Sequence, residues 1–400
     1  MRVPIKINFS HPVLYALGFV FLFTIPYLYP SLHFTYTKVF SPSVHLLISS
    51  FVALLVIISF YLSKFSFAPN RYISKLQIPS QFIWISKAGL LIALVMNVLI
   101  VLNAFLAYSG NILSAKESIE TFGGINILSQ TYMFFLPPYI YYSYHHGKKY
   151  KLVLVILGLI LLVRSVLMAE RVAFLEFLVP VFVTYFLASE KKLYVTKIVK
   201  YFGLLLLFFM ILELSRQFYN QYILKGGGVD PWFAISWTLE RFFAYYADTT
   251  NKFYYSITHD LAFTTNHYFY PFERIVSRIF PIEIGQPEVD YGEFRWVDFT
   301  NPGGLNMFYT DFGFLSIFVF VALFIAFFKS FRSIKKGSLV ALCIYPNLVT
   351  VILELPRFVN FYNTRFFVPL VIFIIIYTLY KYLVLRFPKG GHELQLDTIE

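Results

Sequence analysis

The residues with chemistry to offer are arginines, the histidines His259 and His267 and one aspartate, and they crowd towards one side of an otherwise apolar chain. Arg164 lies inside an apolar run, and Arg171 follows seven residues later in Met168-Ala169-Glu170-Arg171. Arg274 and Arg278 are spaced i, i+4 and would share one helix face if Pro271–Arg278 is helical. Arg357 and Arg365 flank a short connection near the C-terminus. A guanidinium is always charged and binds oxyanions through a bidentate fork, so such a set suits phosphate or diphosphate. His267, a few residues before the arginine pair, and Asp311 are the two candidates for a general base. Trp232, Trp237 and Trp296 are the aromatic platforms a sugar would use.

Each of these residues also has a plain structural reading. An arginine at a helix end serves as an interface anchor or as the partner of a nearby acid. Glu170, Glu273 and Glu354 stand close to Arg171, Arg274 and Arg357 in sequence. Aromatics in a membrane protein's loops often form an interfacial belt, and a histidine or a helix-end aspartate often satisfies a backbone. The functional reading rests on convergence at one face.

What must position these residues is a membrane bundle. Hydrophobic residues make up 58% of the 400, and charged ones only 14%, against about 25% charged in ordinary soluble domains. A folded soluble chain cannot hide that much apolar surface, which excludes a soluble enzyme, a nucleic-acid-binding module and a disordered chain. The single cysteine, Cys343, excludes an intrachain disulfide and a cysteine-based zinc site. Dinucleotide, P-loop, zinc-protease and serine-elbow motifs are all absent from the sequence.

Ten apolar segments read as spans: 12–30, 43–62, 84–108, 125–144, 152–168, 172–188, 196–213, 305–328, 338–355 and 364–385. Each approaches the ~20 residues that cross the hydrocarbon. The fifth and sixth are separate because a single helix over both would be about 55 Å long; the chain should reverse at Ala169-Glu170-Arg171. The first is read as a retained helix, since no small-x-small cleavage pattern follows it. With both termini inside, cytoplasmic segments carry twenty basic residues and the four short outer loops five, as the positive-inside rule requires. The net charge of +12 is therefore mainly a topology signal.

The fold class expected is thus an all-α polytopic membrane protein in four regions. Residues 1–213 form a seven-helix membrane region, 214–304 a large outer loop, 305–387 a three-helix membrane region and 388–400 a cytoplasmic tail. The loop holds three of the four tryptophans, seven basic and ten acidic residues. So aromatic a segment should be ordered, as short helices partly lying in the interface, such as Trp232–Ala247.

In this arrangement the chain resembles the Wzy-type O-antigen and polysaccharide repeat-unit polymerases. Two local patterns carry the likeness beside the span count and the late periplasmic loop. One is Met168-Ala169-Glu170-Arg171-Val172-Ala173-Phe174-Leu175, an outer-face arginine leading into an apolar helix. The other is Asn301-Pro302-Gly303-Gly304 through Tyr309-Thr310-Asp311-Phe312-Gly313-Phe314-Leu315, a small-residue stretch followed by Asp-Phe-Gly as the chain re-enters the membrane. The resemblance implies a GT-C-like glycosyltransferase in the bacterial inner membrane, with polyprenyl-diphosphate-linked oligosaccharides as donor and acceptor. It also implies a chain-length regulator as partner, no cofactor and no metal. Arg171, assisted by Arg164, Arg274, Arg278, Arg357 and Arg365, would hold the diphosphate, and His267 or Asp311 would take the hydroxyl proton. The O-antigen ligases share this look. A lipid-linked oligosaccharide flippase and a glycan-binding sensor or scaffold are the alternatives from other classes, although a transporter would concentrate its charges at the bilayer midplane.

The topology has a direct test. Reporter fusions within 214–304 and just after Lys335 should report opposite sides of the membrane; agreement in side would overturn the ten-span map.

Overall fold

The computed structural model describes residues 6–28, 42–65, 76–107, 123–147, 150–167, 171–190, 192–194, 231–280, 291 and 301–386, with scattered positions between 196 and 214. Within these the chain is helical apart from one pair of three-residue strands. The helices, in chain order, are α1 (Pro12–Leu28), α2 (Pro42–Leu62), α3 (Ser80–Ala107), α4 (Gly123–Ser129), α5 (Tyr132–His145), α6 (Lys151–Leu167) and α7 (Arg171–Ser189). They continue as α8 (Pro231–Thr258), α9 (Tyr270–Ile279), α10 (Gly304–Phe312), α11 (Ser316–Lys335), α12 (Leu339–Glu354) and α13 (Thr364–Arg386). Strands β1 (Lys6–Asn8) and β2 (Lys192–Tyr194) pair antiparallel.

Four described segments are long and apolar enough to cross a membrane: Ser43–Leu62, Ser80–Ala107, Gly304–Lys335 and Thr364–Val384. Shorter apolar helices cover Pro12–Thr24, Ala173–Ser189 and Leu339–Glu354. On α2, Leu47, Phe51, Leu54, Ile58 and Tyr61 are exposed, and α3 likewise exposes Leu91, Val95, Leu99, Leu102 and Phe105. In water such a wall would drive association. Facing lipid it costs nothing, and the chain is consistent with a helical membrane protein. The seventh predicted span, 196–213, lies largely outside the described residues.

The centre of the bundle is α12. It packs against α1, α5, α7 and α11, and its side chains are buried on nearly every side, as a helix apolar all round requires. Ser338 caps it by accepting from the Ala341 amide at 3.3 Å. Pro346 removes one backbone donor from its interior. Next to it, Asn347 Nδ2 donates to Cys343 O in the same helix and to Met133 O in α5, both at 2.8 Å.

Two predicted spans are interrupted. The segment expected over 125–144 is two helices, α4 and α5, separated at Gln130-Thr131. The Thr131 hydroxyl turns back to the Leu128 carbonyl at 2.8 Å, which competes with the helix ladder. The segment expected over 305–328 breaks at Gly313, where φ is +55°. That is left-handed backbone, which glycine alone adopts without a Cβ penalty.

The two ends of the bundle gather different residues. β1 and β2 bring the N-terminal strand to Lys192–Tyr194. At this same end Tyr345 Oη donates to Ser10 O at 2.6 Å, His11 meets Phe65 and Phe331, and Arg332 donates to the Lys64 carbonyl at 3.3 Å. The opposite end is linked through Tyr132 Oη to Ala173 O, Arg365 to Glu176, and Gly303 N to Arg357 O. Lys64, Lys192 and Arg332 therefore share one end. All the chemistry-bearing arginines described below lie away from it.

At the second end, the Gly303-Gly304 pair lets α10 start in a tight space. Gly303 N donates to Arg357 O at 2.9 Å and Gly304 N to Leu355 O at 3.1 Å. A Cβ on Gly304 would come within 2.1 Å of the Leu355 carbonyl oxygen. Gly304→Ala should therefore destabilise the fold by about 1–3 kcal/mol, the usual cost of overpacking. Gly124→Ala, at a site with nothing within 4 Å, should leave the thermal melt in detergent unchanged or slightly raised. Equal melting of the two variants would show that the close approach at Gly304 carries no constraint.

Candidate functional site

The two candidate bases prove to be partners. Asp311, near the end of α10, projects its carboxylate at the loop between α8 and α9. Its Oδ1 accepts from the Thr265 hydroxyl at 2.6 Å, from His267 N at 3.0 Å and from His267 Nδ1 at 2.9 Å. Its Oδ2 accepts from Tyr268 N at 3.1 Å. The carboxylate side chain is 0% exposed and the imidazole 9%.

An ionised carboxylate only accepts, so Nδ1 must carry its proton towards Asp311. That leaves the Nε2 lone pair as the free basic position, the tautomer a general base needs. Among the described residues Nε2 has no hydrogen-bond partner. The ring of Tyr362 lies nearly parallel to the imidazole, 7° from coplanar with centroids 6.2 Å apart. Burial, and then the negative charge of Asp311, push the Tyr362 hydroxyl well above the ordinary phenol range, so it stays a neutral donor. Tyr268 in turn packs on Phe312, with centroids 5.1 Å apart.

The local sequence explains this geometry. Gly313 lets residues 262–263 pass directly beside the chain; a Cβ there would meet Phe263 at 2.8 Å and Ala262 at 3.2 Å. Thr265 N then reaches Thr310 O at 3.3 Å, which sets the register that delivers His267 to Asp311. The Asp-Phe-Gly pattern thus combines one anchoring carboxylate with one permissive turn.

The arginines divide into separate environments. Arg164 is 0% exposed. Its Nη1 donates to Asn97 Oδ1 and Ser129 Oγ, both at 2.8 Å, and its Nη2 to Asn126 Oδ1 at 2.7 Å. Asn97 also bonds the Ser129 carbonyl at 2.8 Å. Arg164 therefore joins α6 to α3 and α4 inside the bundle, and it is enclosed rather than presented on a rim. Arg357 pairs with Glu354 at 2.7 Å, the partner its sequence neighbourhood offers. Arg365 reaches Glu176 on α7 at 3.4 Å. Arg274 donates to Tyr270 Oη and lies over that ring. Its sequence neighbour Glu273 instead accepts from Asn266.

Arg171 is the first residue of α7, and Arg278 lies on α9; the side chains of both, and Glu170, lie outside the described residues. Trp296 also lies outside them. Trp232 is 77% exposed at the start of α8. Trp237 carries the Arg241 guanidinium 5.0 Å above its ring.

Sequence reasoning missed how strongly the segment holding α8 is tied down. The helix expected over Trp232–Ala247 continues to Thr258, and it packs on α1 and α10. Arg241 and Arg357 approach the ring of Tyr245 at 5.9 and 5.3 Å, tying α8 to the turn before α13. Lys252 and Asp248 form a buried pair at 2.7 Å, and Lys252 Nζ donates to Asn301 O at 3.1 Å, just before α10. Their i, i+4 spacing was a visible signal; the link to residue 301 was not. Among the described residues no group of three or more His, Cys, Asp or Glu is placed to hold a metal ion.

Desolvation raises Asp248 to about 6, although Lys252 acts against it. A carboxyl raised on folding binds its proton more tightly in the folded state. Its stabilising contribution is complete below the ordinary carboxylate range and is lost as pH rises through about 6. Across that window, melting temperatures of Asp248→Asn should fall less with rising pH than those of the unsubstituted protein. Parallel pH profiles would show that Asp248 is not held above its ordinary range.

No protein-family model, curated protein or solved structure matches the chain.

Proposed function

We propose that this chain is a membrane glycosyltransferase that joins polyprenyl-diphosphate-linked oligosaccharide units at the periplasmic face of a bacterial inner membrane. The reading includes ten spans, both termini in the cytoplasm and a GT-C-like organisation. The observation that carries it is the His267–Asp311 pair, a base with its orienting acid, at the end of the bundle where the phosphate-binding candidates also fall.

The chemistry follows from that pair. An acceptor hydroxyl attacks the anomeric carbon of the donor sugar. Nε2 of His267 takes the hydroxyl proton, and the imidazolium is stabilised by Asp311 through Nδ1. The bond between the anomeric carbon and the diphosphate oxygen breaks, and its electron pair leaves with the lipid diphosphate. Negative charge grows on that leaving group, so fixed cations beside it lower the barrier.

Arg171 and Arg365 serve there in this reading. Arg171 opens α7 and Arg365 is the second residue of α13. A helix N-terminus carries partial positive charge, so a cation there is disfavoured unless an anion joins it. Glu176 supplies one negative charge between the two helices; a diphosphate would supply more. Arg357, Arg274 and Arg278 complete the phosphate-binding set of this proposal. Arg164, enclosed by three neutral acceptors, is read as positioning α6 and hence the turn that leads to Arg171. Trp232 and Trp237 remain the sugar platforms of this proposal, and a chain-length regulator its protein partner.

Purified protein in liposomes supplied with lipid-linked repeat units tests the reading. A ladder of polymer is expected. Transfer of glycan to a lipid A acceptor would indicate a ligase, and translocation without bond formation a flippase. His267→Ala should lose turnover while still binding substrate. Arg171→Ala should slow turnover by about 10²–10³, the cost of removing one stabilising donor. Arg171→Lys, with charge but no fork, should fall in between. Full activity in well-expressed His267→Ala would remove the pair from the chemistry.

A further inference from the structure

The helix that follows His267 is built inside out for a helix in water. On α9 and its flanks Phe269, Phe272, Val276 and Phe280 are exposed. Their spacings of three, four and four place them on one stripe of the helix, about 16 Å long at 1.5 Å per residue. The described polar side chains of the helix are less exposed than these. Glu273, Arg274 and Ser277 are partly buried, with Arg274 held against Tyr270 and Ser277 bonded to the Arg274 carbonyl. A surface helix of a soluble domain turns its polar face outward. This one turns its apolar face outward.

The neighbours of the stripe say what covers it. Phe272 packs edge-on against Phe367, with centroids 4.7 Å apart, and Phe367 lies in the first turn of the apolar helix Thr364–Val384. Phe314, Leu315 and Phe318, near the break in the apolar segment Gly304–Lys335, are exposed as well. The stripe therefore continues the apolar walls of two helices long enough to cross a membrane, at the level where those walls begin. We propose that α9 is an interfacial helix whose Phe272–Val276–Phe280 face is immersed in the outer lipid leaflet, holding His267 at the depth of the lipid headgroups.

A helix of this kind lies along the interface with its apolar face sunk about 5–10 Å. The inference concerns the lipid contact alone and does not depend on the glycosyltransferase reading. If that reading holds, a lipid-linked substrate reaches the His267–Asp311 pair sideways along the leaflet, its diphosphate already at the right height.

The test uses the full chain in nanodiscs of phosphatidylethanolamine and phosphatidylglycerol. A nitroxide is attached at Val276→Cys and, separately, at Phe280→Cys, with His259→Cys in the exposed turn after α8 as the aqueous control. Cys343 is buried, so the introduced thiol is the reactive one. Power saturation should show the 276 and 280 labels severalfold more accessible to oxygen than to a water-soluble nickel chelate, with the ratio reversed at 259. Nickel accessibility at 276 and 280 equal to that at 259 would place the stripe in water and overturn the proposal. Labels shielded from both reagents would also overturn it, since a protein surface, and not lipid, would then cover the face. Two label sites guard against one substitution disturbing the fold, and neither residue touches the His267–Asp311 pair.

Discussion

The packing of the 265–268 segment against α10 depends on one buried carboxylate. Asp311 accepts four bonds from three residues of the 265–268 segment. A carboxylate removed from water is stable only when its lone pairs are filled, and here backbone amides, a hydroxyl and an imidazole fill them. The same four bonds fix the tautomer of His267, set where α9 begins and tie the outer loop to the break between α10 and α11. A structural anchor and a catalytic orienter need not be separate residues, because the bonds that fix a base in place are those that polarise it.

Burial of polar groups follows the same logic deeper in the bundle. Arg164 reaches three neutral acceptors contributed by α3 and the α4 region. In a medium without water, an arginine so placed selects one relative position of three helices, since any slip strands a charge at a cost of several kcal/mol. The break between α4 and α5 belongs to this arrangement: Asn126 and Ser129, at the end of the short helix, are two of its partners. A continuous helix would have carried those side chains elsewhere on its surface.

How much of this was legible in the sequence depends on range. Apolar runs of about 20 residues announced the helices, because hydrocarbon leaves the backbone almost no other option. The Glu354–Arg357 and Asp248–Lys252 pairs were visible as i, i+3 and i, i+4 spacings. His267 and Asp311 were each visible as candidates, but as rivals. Their 44-residue separation crosses a helix and a loop whose course no local pattern fixes. Arg164 misled for a related reason: an intramembrane arginine advertises a partner, and Asn97, Asn126 and Ser129 carry no charge that would mark them. The sequence pointed to Trp232–Ala247 as an interfacial helix, and α9 was not singled out. Trp232–Ala247 has the tryptophans, yet α8 packs on α1 and α10, whereas the shorter α9 turns its aromatics outward.

That contrast between α8 and α9 suggests how the outer end is organised. α8 is fastened on several sides, by Arg241 and Arg357 about Tyr245 and by Lys252 to residue 301, so it behaves as part of the scaffold. α9 is fastened mainly at its start, by the Asp311 bonds, and along one edge, by Phe272 on Phe367. Its remaining apolar surface is satisfied only by surroundings that are themselves apolar. Hydrophobic burial has no direction and no register, so such a contact sets depth without fixing orientation, while hydrogen bonds at Asp311 fix orientation without setting depth. Together they define the position of one imidazole relative to a membrane surface.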